Sequence, residues 1–410
     1  MRTVGRSLPD PPPRPLAAVF PSASFRGNFF LILFIFYLVG GYCYLALGSY
    51  TMVGAMGQGA AGGLDLTGRP RGADFLGFGA ASALARQGEA AAVYSPARIY
   101  EMGQAMAGEH LHPMAWNYPP GFLLLLLPLA YLPYPAALAV WLAATLGGYL
   151  AAVRRIAPHP LTPILFLAFP GAVANFLYCQ NGFLSAGLLA GGLLLLGRRP
   201  LAGGGLLGLL SYKPQLAVFL PLALAAGRRW RALGGAAASA GALALTSLAI
   251  LGVEPWKAFF ENLHLAAGLM DQPVNWPKMP TVFAAARLAG ANYPVAMGVQ
   301  AVAALGAAAA VIRVWSRPAP LALRAAALIT GTFLAVPYAF EYDLAVLGPV
   351  FAWLGWQEMS SRRQTGLEFI SLAWGALYLA AFPPFHLGFQ INPLILLALL
   401  LFVLRRSAQG

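Results

Sequence analysis

The sequence predicts an all-α polytopic membrane protein, and three observations carry that prediction. Of its 410 residues, 59% are hydrophobic and 10% charged, against roughly 25% charged in soluble globular proteins, and the mean hydropathy is +0.69. A chain of that composition has too few charges to cover itself for water. The apolar residues are gathered into runs between short polar breaks, several approaching the ~20 residues that a helix needs to cross ~30 Å of hydrocarbon. These Leu- and Ala-rich runs lack the alternation of a membrane barrel, and an open sheet in lipid would leave its edge groups without hydrogen-bond partners. Helices remain.

Taken in order, residues 1–27 hold Arg2, Arg6, Arg14 and Arg26 against one acid, Asp10, and the stretch from Pro9 to Pro15 cannot be helical. They read as a disordered cytoplasmic tail. Phe29 to about Leu47 is too long for a signal-peptide core and lacks a convincing cleavage site, so it reads as an uncleaved anchor with its N-terminus inside. Residues 51–117 then form an outer loop holding five of the thirteen acids: Asp65, Asp74, Glu89, Glu101 and Glu109. Within it Phe75, Leu76, Phe78 and Leu84 share one side of a helix beginning after Asp74, a juxtamembrane helix in the interface. Apolar runs follow at 121–133, 135–153, 161–178, 182–196, 201–226 and 233–251, and a second outer stretch covers 254–292. Runs at 294–315, 321–339, 344–356, 367–381 and 391–404 complete a single transmembrane domain, 28–404, of about ten to thirteen helices.

The net charge of +13 does not point to nucleic acid, because the basic residues form no stripe with interleaved aromatics. They cluster between apolar runs, at Arg154-Arg155, Arg198-Arg199, Arg228-Arg229-Trp230-Arg231, Arg362-Arg363 and Arg405-Arg406, the pattern of loops kept inside. If all five are inside, the segment from Leu201 to Ala226 must return to its own side, as a broken hairpin around Lys213-Pro214, and Tyr118 to Val153 must make one net crossing. Cys43 and Cys179 lie in separate apolar segments without CxxC spacing and read as small hydrophobes. No P-loop, GxSxG or HExxH motif occurs, and His110, His112, His159, His264 and His386 have no ligand spacing, so neither a transition-metal site nor a bound cofactor is expected, with assistance by a divalent ion left open. Gly203-Gly204-Gly205 reads as close helix packing.

Ionisable and amide groups inside or beside apolar runs are the functional candidates, since burying one unpartnered costs ~2.5 kcal/mol or more. Pro214 pushes Lys213 away from helical dihedrals and frees a carbonyl, so a broken helix presents an ammonium at membrane depth: a cation for a phosphate, or a snorkelling lysine. Gln180-Asn181 is either a sugar-binding pair of amides or a tight turn. Glu341 and Asp343 open an apolar run and could serve as helix caps; Asp74 carries the same ambiguity, with Asp65 as its rival among the loop acids.

Four stretches, in this order, resemble polyprenol-phosphate-dependent membrane glycosyltransferases, in particular glycosyltransferase family 87, which includes bacterial alpha-mannosyltransferases of the type C fold. They are Ala73-Asp74-Phe75-Leu76-Gly77-Phe78; Asn117-Tyr118-Pro119-Pro120-Gly121-Phe122; Gln180-Asn181-Gly182 followed by Lys213-Pro214; and Pro337-Tyr338 through Glu341-Tyr342-Asp343-Leu344. Cys179-Gln180-Asn181-Gly182 stands where the family usually has Gly-Gln-x-Asn.

The resemblance implies a type C bundle that moves a hexose, mannose in the relatives it names, from a polyprenyl-phosphate donor to a glycan, lipid or protein acceptor. It implies Asp74 as the catalytic base of an inverting transfer and Lys213 at the donor phosphate, with Tyr118, Gln180, Asn181, Tyr338, Glu341 and Asp343 as weaker substrate-binding candidates. Its setting would be a bacterial inner membrane, with the site on the extracytoplasmic side and lipids as the surrounding partners. A secondary transporter or flippase is the alternative; it would show internal repeats and paired broken helices.

Overall fold

The computed structural model describes residues 25–54, 72, 74–107, 114–381 and 388–409. The Pro-rich part of the tail lies outside these residues, as do Asp65, Glu109, His110, His112 and His386. Among the described residues every regular element is helical and there is no strand. Among the described residues, four helices are long and apolar enough to cross a membrane unaided: Phe29–Thr51, Tyr134–Ile156, Trp230–Leu251 and Tyr293–Trp315.

After α1 (Phe25–Gly54), α2 (Phe75–Arg86), α3 (Pro96–Ala107) and α4 (Pro120–Leu126) stay together at one end of the bundle. α5 (Tyr134–Ile156) runs away from that end, α6 (Thr162–Leu167) and α7 (Pro170–Tyr178) return to it, and α8 (Gly182–Leu195) leaves again. Close contacts fix these directions: Gly41 lies against Ala168 and Gly48 against Leu177, so α1 runs parallel to α6 and α7. The Trp141 indole donates to the Cys179 carbonyl and Tyr149 packs on Phe183, so α5 runs parallel to α8.

Next come α9 (Pro200–Gly208) with a 3-10 turn to Tyr212, then α10 (Pro214–Ala217) and α11 (Leu220–Ala226), which together double back. α12 (Trp230–Leu251) rises beside α9, and α13 (Glu254–Glu261), α14 (Leu263–Met270) and α15 (Val282–Leu288) cover the same end as α2. There the Asn262 amide donates to the Trp116 carbonyl at 3.3 Å and the Phe259 ring meets Tyr94, joining the second outer stretch to the first. α16 (Tyr293–Trp315) and α17 (Leu321–Ala335) form an antiparallel pair tied by the Gln300 amide to the Leu334 carbonyl. A 3-10 turn, Glu341–Val346, leads into α18 (Leu347–Ser360), then α19 (Gln364–Ala381) and α20 (Asn392–Ala408). Among the described residues the path comprises about ten traverses, by α1, α5, α6 with α7, α8, α12, α16, α17, α18, α19 and α20, plus one re-entrant hairpin.

The two conditions set by the arginine clusters are both met. α4 and the following turn, Leu127–Tyr131, remain beside α2, with the Arg86 guanidinium 6.0 Å from the Tyr131 ring, so α5 alone makes the crossing. The segment from Leu201 to Ala226 turns back at Lys213, whose φ of −135° and ψ of 73° are non-helical, as a residue preceding proline requires. All five clusters therefore sit at one end, and there Glu358, side chain 1% exposed, accepts from Arg406 at 2.5 Å, stapling α18 to α20.

Helix length sets the depth of the opposite end's floor. α8 has 14 residues, ~21 Å at the usual rise. α9 has 9 residues and its 3-10 extension 4, again ~21 Å together. Both stop short of the ~30 Å of a hydrocarbon core, so Asn181 and Lys213 lie below the level reached by the longer α5, α12 and α16.

The glycine cluster holds the hairpin. A Cβ on Gly204 would sit 2.0 Å from the Ala232 carbonyl oxygen, whereas one on Gly205 meets nothing within 4 Å. Gly204→Val should therefore lower the melting temperature in detergent, with an overpacking cost of about 1–3 kcal/mol or more, while Gly205→Ala melts within a degree or two of wild type. Equal melting of the two variants would contradict the close α9–α12 approach.

Candidate active site

α7 ends at Cys179, whose φ of 52° is left-handed, an uncommon conformation for a non-glycine residue. That reversal sends Gln180 and Asn181 back across the end of the helix, and the Asn175 side-chain oxygen closes the turn by accepting from the Gly182 amide at 2.7 Å. The 3-10 turn after α17 packs on the same place: a Cβ on Gly171 would lie 2.2 Å from the Leu344 carbonyl carbon, and one on Gly182 would lie 2.4 Å from the Tyr342 oxygen. Only glycine at both positions lets the backbone carrying Glu341 and Asp343 come this close.

A continuous polar relay crosses this junction. Asp74 occupies the N-cap position of α2, yet its side chain makes no capping hydrogen bond. Its carboxylate instead accepts from the Gln180 amide at 3.1 Å, and its backbone amide donates to the Tyr178 carbonyl at 3.2 Å. The Gln180 oxygen accepts from the Asn181 backbone amide at 2.9 Å. The Asn181 side-chain oxygen accepts from the Lys213 ammonium at 2.7 Å, and that ammonium is ion-paired with Asp343. Asp343 uses its second oxygen to accept from the Phe340 amide at 3.1 Å, so it is helix cap and counter-ion at once.

Tyrosines line the same place. Tyr118 donates to the Gln180 oxygen at 3.4 Å, and the Lys213 ammonium lies 5.8 Å from the Tyr118 ring and 5.2 Å from that of Tyr342. Glu341 is 5% exposed and accepts from the Tyr178 hydroxyl at 2.9 Å. Tyr338 stands edge-on to Phe340 and is near enough to Asp74 and Asp343 to feel both charges. Asp74, Tyr118, Gln180, Asn181, Lys213, Tyr338, Glu341 and Asp343 thus converge, although they come from five separate parts of the chain.

Two details differ from the sequence-based reading. Lys213, read as a cation for a phosphate or a snorkelling lysine, is 2% exposed, hydrogen-bonded to Asn181 and ion-paired with Asp343. A lysine left bare at that depth would pay the full desolvation penalty, so the fold supplies a carboxylate. The second detail is Lys278, which acts electrostatically on both Asp74 and Glu341 and was not singled out. One signal for it existed: of 26 basic residues only three are lysines, Lys213, Lys257 and Lys278, and two of the three are at this site.

Asp74 is exposed to solvent, but protein surrounds the position on most sides and limits the water that can solvate its charge. Desolvation accordingly raises its carboxyl above the ordinary aspartate value, opposed by the Gln180 hydrogen bond, then by Lys278, then by Lys213. Desolvation likewise raises Glu341, with the Tyr178 hydrogen bond and Lys278 opposing. An accessible carboxylate that caps nothing, is oriented by an amide and has a raised pKa has the attributes of a general base.

A sequence model of glycosyltransferase family 87 matches residues 116–337, more than half of the chain. The chain belongs to glycosyltransferase family 87. It is thus a membrane glycosyltransferase, with a sugar donor and an acceptor as its partners, and the resemblance read from its four stretches is borne out at the level of family. No curated protein and no solved structure matches it. Within the matched span this transferase carries Tyr118, Gln180, Asn181, Lys213 and Lys278, while Asp74, Tyr338, Glu341 and Asp343 lie outside it and reach the site through the fold.

Proposed function

We propose that this transferase moves a hexose, mannose by the family resemblance, from a polyprenyl-phosphate donor to an acceptor hydroxyl with inversion at the anomeric carbon. The observation that carries the reading is the Asp74 carboxylate: it sits at a helix N-terminus without capping it, and Gln180 aims it from 106 positions away in the chain. In the proposed step the acceptor oxygen attacks the anomeric carbon and its proton passes to Asp74. The bond from that carbon to the phosphate oxygen breaks, and the electron pair leaves with the lipid phosphate. Lys213, with its charge largely balanced by Asp343, sits between the Tyr118 and Tyr342 rings and fixes Asn181, hence Gln180. Glu341 and Tyr338 are assigned to the sugar hydroxyls.

A lipid-linked donor suits a site at the end of the short helices α8 and α9, because the polyprenyl tail can stay in hydrocarbon while its head reaches Asp74. With the arginine-rich end inside by the charge rule, the site faces the extracytoplasmic side of the membrane. The test is direct: the purified transferase, given radiolabelled polyprenyl-phosphate mannose, polyprenyl-phosphate glucose or a nucleotide sugar, with a membrane fraction as acceptor. Transfer from a polyprenyl-phosphate sugar is expected, and transfer from the nucleotide sugar alone would overturn the donor class.

The raised carboxyl of Asp74 predicts the pH profile. The base works only when ionised, so kcat/KM falls as pH drops through its pKa, and that acid limb should lie above the ~3.9 of a solvated aspartate. A limb at or below that value would mean that another group is the base.

A further inference from the structure

We propose that Lys278 is the residue that contacts the donor's phosphate. This inference rests on the transferase reading above and adds the group that meets the leaving charge. Of the three lysines, Lys213 is paired with Asp343, and Lys257 is exposed and paired with Glu254 at 2.7 Å. Through Trp276 and Met279 the turn that carries Lys278 packs into the same small core as Tyr338 and Phe340, which sets it against the segment bearing Glu341 and Asp343; the Lys278 ammonium has no hydrogen bond or ion pair among the described residues, and its charge acts on both Asp74 and Glu341. It is an uncommitted cation beside the base.

Its backbone is held as a binding residue's should be. Lys278 ends the short 3-10 turn Trp276–Lys278, and each neighbouring residue of that turn is braced. The Arg287 guanidinium stacks 4.5 Å from the Trp276 ring and pairs with Asp271 at 2.9 Å, joining the turn to α15. The Gln390 amide, just before α20, donates to the Pro277 carbonyl at 3.0 Å, and the Asn275 amide donates to the Leu269 carbonyl at 2.7 Å. A rigid turn with one unbraced, partly buried four-carbon arm presents a movable point charge, which suits a phosphate whose charge changes.

The reaction makes that charge change. The donor is a phosphodiester with one negative charge, and the departing lipid phosphate is a monoester that approaches two near neutral pH. A cation in place beforehand stabilises the developing charge more than the ground state. The balanced Lys213–Asp343 pair supplies little net field, so the free ammonium is the group suited to this.

The test measures binding as well as turnover, using the full chain in nanodiscs with farnesyl phosphate as a probe for the leaving group and farnesol as its uncharged comparator. Wild type should prefer farnesyl phosphate, and Lys278→Met should weaken that affinity about 10- to 100-fold, the worth of a charge-assisted contact, without changing farnesol binding. Lys278→Arg should recover most of the loss, Lys257→Met should have no effect, and inorganic phosphate should bind more weakly than the lipid. Unchanged farnesyl phosphate affinity in Lys278→Met would overturn the proposal, and a shifted pH profile alongside it would mean that the lysine serves only to keep Asp74 ionised. Asp74→Asn separates the two readings: if it abolishes transfer while Lys278→Met binds normally, the transferase reading stands and this one falls. If wild type neither transfers from the lipid donor nor distinguishes farnesyl phosphate from farnesol, both fall.

Discussion

Asp74→Asn should reduce sugar transfer at least ~10²-fold, as expected when a general base is removed, with little change in melting temperature. The isosteric amide keeps the volume and leaves the α2 N-terminus as it was, since the carboxylate does not cap that helix. It still has an oxygen that can accept from the Gln180 amide, now at 3.1 Å from the carboxylate, so the relay behind it persists. What is lost is the capacity to take a proton. The comparison variant is Asp65→Asn, nine positions earlier in the chain, which should transfer at close to the wild-type rate. Turnover by the purified protein with a polyprenyl-phosphate sugar, read beside a melting curve, decides the matter. Full activity in Asp74→Asn would remove Asp74 from the chemistry, and a loss matched by early melting would attribute the effect to folding instead.

Most of the architecture was legible because lipid narrows the choices. Once composition removed water as the solvent, the runs had to be helices, and the arginine pairs required the Leu201–Ala226 stretch to turn back at Lys213-Pro214, as it does. The helix after Asp74 was visible in Phe75, Leu76, Phe78 and Leu84, all of them buried. The wiring of the site was less visible. Asp343 could be read as a cap, and it is one, but no local pattern reveals a counter-ion 130 positions away from Lys213. Gln180-Asn181 posed a choice between turn and site, and the residues serve as both because the left-handed Cys179 folds the turn across the relay. Lys278 was the hardest to see. A lysine in a polar outer stretch looks like ordinary solvated surface, and only the fold shows that Arg287 and Gln390 brace its turn and that the turn packs with Tyr338 and Phe340.

Lys213→Met should destabilise the protein by about 3–5 kcal/mol, because it leaves Asp343 buried and charged without its partner. Asp343 is 1% exposed, and of its oxygens one faces Lys213 while the other accepts from the Phe340 amide. Asp343→Leu alone should be comparably damaging, since it strands the ammonium between the Tyr118 and Tyr342 rings. The double variant Lys213→Met/Asp343→Leu discriminates between structural and chemical roles. Removing both charges together also removes the stranded partner, so most of the stability should return, giving a coupling energy far from additive. Its transfer rate should stay within about tenfold of wild type if Lys213 works through Asn181 and Gln180, because losing one orienting hydrogen bond of ~1 kcal/mol loosens the base without removing it. A double variant that melts like wild type and transfers nothing would instead make Lys213 a direct ligand of the donor, and would require Asp343 to release it when the lipid phosphate arrives.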